Sequence, residues 1–245
     1  MILYKYLPVN KNTIESFVNE YVWYSNPVSF NDPFDCALIT SNILKEVIRN
    51  KKIVHCLSEE HQNLLMWSHY ADSHKGICIE YTGYTDKEID DLLLERPAGI
   101  TRDMLCIVNN AKKVSYRSQE NINAYLSSLP STEHEMFTAL SSPNKDVGNK
   151  IIDRVVEGLL IKHESWNYEN EYRIIAEKNE NSNNKVHLPG KITKIYFGAK
   201  TSALDKRTIA ILFEGKCDLI SMEFADNKYG LVERLFDPNI DLKKW

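Results

Sequence analysis

The chain has 245 residues, 43% hydrophobic and 26% charged, with a formal net charge of -4. That length supports a sizeable core, and the balance is that of a globular domain without a global basic field to draw in nucleic acid or an anionic membrane. No apolar run approaches the roughly 20 residues that span a bilayer, and MILYKYLP lacks the charged lead and long apolar stretch of a signal peptide.

ILYKYL (2–7) opens the chain as a strand, rich in aromatic and β-branched residues. Asn10 or Asn12 can cap a helix over TIESFVNE. YVWYS (21–25) predicts a second strand. The stretch NPVSFNDPFD (26–35) follows, and its two Asn/Asp–Pro steps force a turn-rich loop. Phe30 and Phe34 are apolar enough that both rings are expected to be buried there. ILKEVIRN predicts a helix and KIVHCLS (52–58) a buried strand.

QNLLMWSHYAD (62–72) carries apolar groups at helical spacing, ended by His74, Lys75 and Gly76, and GICIEY (76–81) reads as the next strand. TDKEIDDLLLE predicts a helix; MLCIV and KKVSY predict strands. Residues 118–162 are polar with amphipathic helical stretches, of which DVGNKIIDRVVEGLLIK (146–162) is the clearest, and they read as a helical insert. SWNYENEYRII (165–175) predicts a strand with Glu169, Glu171 and Arg173 on one face and Tyr168, Tyr172 and Ile174 on the other. A polar loop (177–184), a strand at 192–198, a helix near 202–214 and strands near CDLISMEFA and LVERLF complete the chain.

There are no internal repeats and no regular βαβα rhythm. The expected fold is therefore α+β rather than a doubly wound parallel sheet: one domain over 1–245, interrupted by the insert. The five cysteines, Cys36, Cys56, Cys78, Cys106 and Cys217, are odd in number and widely spaced. They read as reduced thiols of a cytoplasmic protein. Glycine-rich phosphate loops, G-x-S-x-G and zinc spacings are absent, so no metal is expected.

The distinctive segments are YKY (4–6), WYSNPVSFNDPFD (23–35), HCLS (55–58), MWSHYADSHKGICIEY (66–81) and WNYENEYRI (166–174). In this order they resemble the bacterial family catalogued as domain of unknown function 2971. More distantly, the layout is similar to the ADP-ribosyltransferase superfamily, which includes toxins and phage-defence enzymes. That likeness implies a mixed, mainly antiparallel sheet core, with a polar residue on the first strand (Tyr4, Lys5 or Tyr6) and an aromatic or hydroxyl residue on a middle strand (Ser58 or Tyr70). It also implies a catalytic Glu171 assisted by Glu169. The first strand lacks the His or Arg usual in that superfamily.

The implied chemistry is transfer of ADP-ribose from NAD to an unknown macromolecular acceptor, protein or nucleic acid. Breaking the nicotinamide–ribose bond builds positive charge on the sugar, which a carboxylate stabilises while a second deprotonates the acceptor. Tyr4, Tyr6, Ser58, His69, Tyr70, Asn31, Asp32 and Arg173 are the candidate NAD-binding residues. Each has a plainer reading: Glu169, Glu171 and Arg173 as a salt-bridged strand face, Asn31, Asp32 and Asp35 as loop-shaping groups, Trp67 and Tyr70 as core. Two other functions fit the same residues: a non-enzymatic module that binds a partner or nucleotide, and a metal-independent nuclease using His69 and Lys5.

Overall fold

The computed structural model describes residues 1–36, 51–95, 107–178 and 184–242. The expected helix over ILKEVIRN, Cys106 and most of the polar loop near 180 lie outside the described residues, as does the start of the expected strand MLCIV, whose last two residues enter a 3-10 turn, Ile107–Asn110. Twelve strands are described. They run β1 (Ile2–Leu7), β2 (Tyr21–Trp23), β3 (Lys52–Ser58), β4 (Ile77–Thr82), β5 (Lys112–Lys113) and β6 (Ser115–Arg117). After the insert come β7 (Ile161–His163), β8 (Glu171–Glu177), β9 (Lys185–His187), β10 (Lys191–Phe197), β11 (Asp218–Phe224) and β12 (Leu231–Leu235).

Eight of these strands form one sheet in the order β12-β11-β10-β4-β1-β3-β8-β5. All its neighbours are antiparallel except β10 and β11. The chain is thus α+β with a mainly antiparallel sheet. The strands expected at 2–7, 52–58 and 76–81 and the second half of the one expected at 165–175 lie side by side in it, in the order β4, β1, β3 and β8; residues 164–169 form a 3-10 turn instead. β1 pairs with β4 along its whole length, from Ile2↔Thr82 to Leu7↔Ile77. It meets β3 at a single register pair, Tyr4↔Ser58.

Alternation divides the sheet's side chains between two cores. Leu3, Ile53, Leu57, Ile77, Ile79, Tyr81, Ile195 and Phe197 pack on one side, where Ile209 and Phe213 from the helix Ala203–Leu212 and its C-terminal cap meet them. Tyr6, Cys78, Tyr196 and Met222 face the other side, against Met66, Trp67 and Ala71 of the segment that begins with the helix Leu64–Tyr70. Trp67 is fully buried, donates its indole N–H to the His61 carbonyl at 2.7 Å and meets Tyr6 edge-on at 5.2 Å.

That helix stops because the chain turns left-handed. Asp72, Ser73 and His74 all have positive φ (46°, 54° and 70°). Gly76 follows, where a Cβ would lie 2.2 Å from the Leu7 carbonyl oxygen, so only glycine fits.

The insert supplies the helices Gln119–Ser127, Glu133–Leu140 and Lys145–Gly158. Its own core holds Tyr125, Leu129, Met136, Leu159 and Ile161, with Cys36, the residue directly after the loop 26–35. The last helix ends earlier than the expected 162, and Ile161–His163 pairs with β6 as a strand.

Two further expectations meet the structure differently. Asn10 is the N-cap of the helix Lys11–Val18, accepting from the Thr13 amide at 3.0 Å. Asn10→Ala should lower stability by about 1 kcal/mol, read as a shifted urea midpoint; an unchanged midpoint would remove Asn10 from the cap. Phe34, by contrast, is 73% exposed. The Asp32 carboxylate accepts from the Phe34 amide at 2.9 Å and shapes the loop locally, so the ring is not needed to hold it. Phe30 is half-buried, with the Arg173 guanidinium 5.4 Å from its ring centre.

Cys36, Cys56, Cys78 and Cys217 are free thiols. Among the described residues no helix is long and apolar enough to cross a membrane, and no His, Cys, Asp and Glu cluster could hold a metal ion.

Candidate functional site

The C-terminal end of β3 and the start of β8 lie side by side, Ser58 opposite Glu171 and Cys56 opposite Arg173. With Tyr4 opposite Ser58, this puts Tyr4, Ser58 and Glu171 on one face of the sheet. A cavity of about 220 Å³ sits on that face. Its walls bring together Tyr4, Tyr6, Asn31, Ser58, Tyr70, Glu169 and Glu171 from the sequence-selected set. Lys5, Asp35, Cys56 and Lys162 join them.

Three selected residues fall elsewhere. Asp32 lines a separate cavity beside Trp166. His69 is exposed, its ring 6.3 Å from that of Tyr168. Arg173 is fully buried behind Glu171 and does not reach the cavity wall.

Glu171 and Arg173 share a strand face as expected, but Glu169 is not on that strand. It ends the 3-10 turn Glu164–Glu169, and Asn170 in the left-handed region (φ 43°, ψ 51°) swings the chain into β8. Asparagine tolerates that conformation better than most residues. The Ser58 hydroxyl holds the turn by donating to the Glu169 carbonyl at 2.7 Å.

Both carboxylates enter a buried charge cluster. Arg173 donates Nε to Glu171 Oε1 at 2.7 Å and Nη2 to Glu171 Oε2 at 2.9 Å. The same Nη2 reaches both Asp35 oxygens, at 2.7 and 2.9 Å, while Nη1 donates to the Leu159 carbonyl at 2.9 Å and meets Cys36 Sγ at 3.0 Å. Lys162 pairs with Glu169, and with Glu171 and Asp35 at 3.2 Å each. Tyr70 donates its hydroxyl to Glu169 Oε1 at 2.5 Å. Three carboxylates thus face two cations, and all five side chains are buried. The plainer reading of a salt-bridged strand face holds for the Glu171–Arg173 pair, but that pair is buried: Glu171 is 4% exposed and Arg173 0%.

The protonation of the two glutamates is pulled apart. Burial raises the Glu169 carboxyl above its ordinary range, against the pull of Lys162. Burial acts on Glu171 in the same sense, but the Arg173 fork and Lys162 overcome it and hold that carboxyl at about 2. A split of this kind separates a proton-exchanging group from a permanently ionised one. Burial and the Glu169 charge push the Tyr70 hydroxyl up, so it stays a donor.

This split fixes two opposite pH dependences of stability. Glu171 titrates near 2 when folded against an ordinary 4.5. The unfolded chain therefore binds more protons between those values, and stability is lost as pH falls through that window. Glu169 has its folded value raised, so its contribution is present at low pH and is lost as pH rises above its ordinary value. Urea unfolding in steps from pH 6 to about 2 should show the acid loss in the wild type and a shallower one in Glu171→Gln. A wild-type slope in that variant would overturn the assignment.

Lys162 and Asp35 complete the site; the sequence offers Asp35 only as part of a loop that could meet a ligand, and does not mark Lys162. Asp35 reads there as a loop-shaping residue, and Lys162 as the last turn of a helix. The one clue to Lys162 is a lone cation directly after the apolar run LLI.

Residues 66–174 match a family model described as Protein of unknown function (DUF2971). This supports the family resemblance read from the sequence, over a stretch that runs from the Trp67 helix through the insert to Arg173 and Ile174. No curated protein matches the chain, and no solved structure does. The comparisons lend no support to the more distant ADP-ribosyltransferase likeness.

Proposed function

We propose that this cavity cleaves the nicotinamide–ribose bond of NAD and transfers ADP-ribose to a macromolecular acceptor. The observation that carries the reading is the meeting of Tyr4, Tyr6, Ser58, Tyr70, Glu169 and Glu171 in one cavity with two glutamates of divided protonation. Glu171, always ionised, stabilises the cationic sugar. Glu169, with the raised value, takes the acceptor proton, and Tyr70 orients it through their 2.5 Å hydrogen bond. Tyr4 supplies an aromatic wall for a flat ring, and Tyr6 lines the cavity from the core behind it.

The cavity volume of about 220 Å³ is below the roughly 300–1,000 Å³ of sites for drug-sized ligands, so it takes the nicotinamide end and leaves the rest of the dinucleotide outside. The nuclease reading is weaker, because Lys5 lines the cavity while His69 does not. The test is calorimetry with NAD alongside an assay for released nicotinamide. Binding with release supports the proposal; binding without release returns the non-enzymatic module; no binding rejects both NAD readings.

A further inference from the structure

A second cavity, of about 470 Å³, opens on the opposite face of the sheet. Its walls include Phe17 from the helix Lys11–Val18, Tyr21 and Trp23 from β2, His55 from β3, and Ile79 and Tyr81 from β4. It shares only Lys5 with the carboxylate cavity. Aromatic side chains line it, and Trp23 is 54% exposed at its rim, a large apolar surface left open to water.

Lys5, Asn10, Thr13 and the Glu15–Lys185 ion pair also line the cavity, and the His55 ring adds an imidazole to its wall. Its Nδ1 lies 3.2 Å from the Trp23 carbonyl oxygen. A carbonyl can only accept, so Nδ1 carries the proton and Nε2 is left a bare acceptor. Nε2 is buried and has no partner among the described residues. Tyr24 stacks on the ring at 5.1 Å and 23°, which fixes its orientation. Burial, helped by the Lys5 charge, holds the imidazole down at about 3, so it is neutral in ordinary buffers. Buried acceptors without a donor are rare in native proteins, so a water or a ligand N–H is needed to satisfy this one.

We propose that this cavity binds a nucleobase carrying an exocyclic amine, which donates to His55 Nε2 while the ring lies against Trp23. Each feature of the ligand follows from the walls. Aromatic faces favour a planar π system. The bare acceptor selects a ligand N–H. The volume falls within the range of sites that enclose a nucleoside-sized molecule. This site stands apart from the carboxylates and does not depend on NAD cleavage.

The test is calorimetric titration of the full chain with adenosine, cytidine and guanosine. Whichever binds is then compared with its analogue lacking the amine: purine riboside, uridine or inosine. The amine-free analogue should bind at least tenfold more weakly, a comparison that needs no variant. Trp23→Ala should weaken the amine-bearing nucleoside about tenfold by removing the stacking surface. His55→Phe should bring it down to the level of its analogue. No binding of any of the three at millimolar concentration, equal binding of the paired analogues, or unchanged binding in Trp23→Ala would overturn the proposal.

Discussion

Arg173→Met is expected to lower the unfolding free energy by about 3–5 kcal/mol, the cost of breaking a buried ion pair from one side. Arg173 is 0% exposed, and its guanidinium serves Asp35, Glu171, Cys36 and the Leu159 carbonyl at once. Methionine fills much of its volume but leaves Asp35 and Glu171 with Lys162 as their remaining cation. The stranded carboxyls should then take up protons, so a fraction of the loss should be recovered between pH 7 and pH 5. Urea unfolding at both pH values checks this. A loss under about 1 kcal/mol would mean that water reaches the cluster and screens it.

Glu171→Gln is expected to slow NAD cleavage about 100- to 1,000-fold, equivalent to roughly 3–4 kcal/mol of lost transition-state stabilisation. The substitution also touches the fold. Glu171 accepts from Arg173 in two places, and hydrogen bonds to charged groups are worth about 1.5–3 kcal/mol each. Rates therefore have to be measured where unfolding curves show the variant fully folded. Glu169→Gln should impair transfer to the acceptor more than hydrolysis, since its task is the acceptor proton. Undiminished cleavage in folded Glu171→Gln would return the cluster to a purely architectural role.

The strands are legible in the sequence because alternation and β-branching are local properties: Ile2–Leu7, Lys52–Ser58 and Glu171–Glu177 stand close to where their residues place them. Their order in the sheet is not legible, because pairing of β1 with β4 and of β3 with β8 joins residues far apart in sequence. Within the site, Glu171 and Arg173 follow the two-residue period. Glu169 escapes it because one left-handed residue, Asn170, breaks the strand before it begins. Lys162 is hidden by a helical period that runs on in sequence past Gly158, where the helix itself stops. Phe34 misleads through its hydrophobicity, because the neighbouring Asp32 closes the loop with a backbone contact instead. His69 sits beside Trp67 and Tyr70 in sequence, but the 100° step of the helix turns it to solvent.

The single register pair between β1 and β3 makes the eight-stranded sheet two half-sheets sewn along a seam. Beyond Tyr4↔Ser58 the edge of β3 is taken by the loop instead: Val54 exchanges two hydrogen bonds of 2.8 Å with Ser25. Lys5 bridges the gap by donating to the Cys56 carbonyl at 2.7 Å. A full ladder opens only when many bonds fail together, whereas isolated stitches can come undone singly. Alternate amides of β1 should consequently belong to two populations in deuterium exchange. Those turned toward β4 report global unfolding, and those turned toward β3 trade their protons through brief openings of the seam.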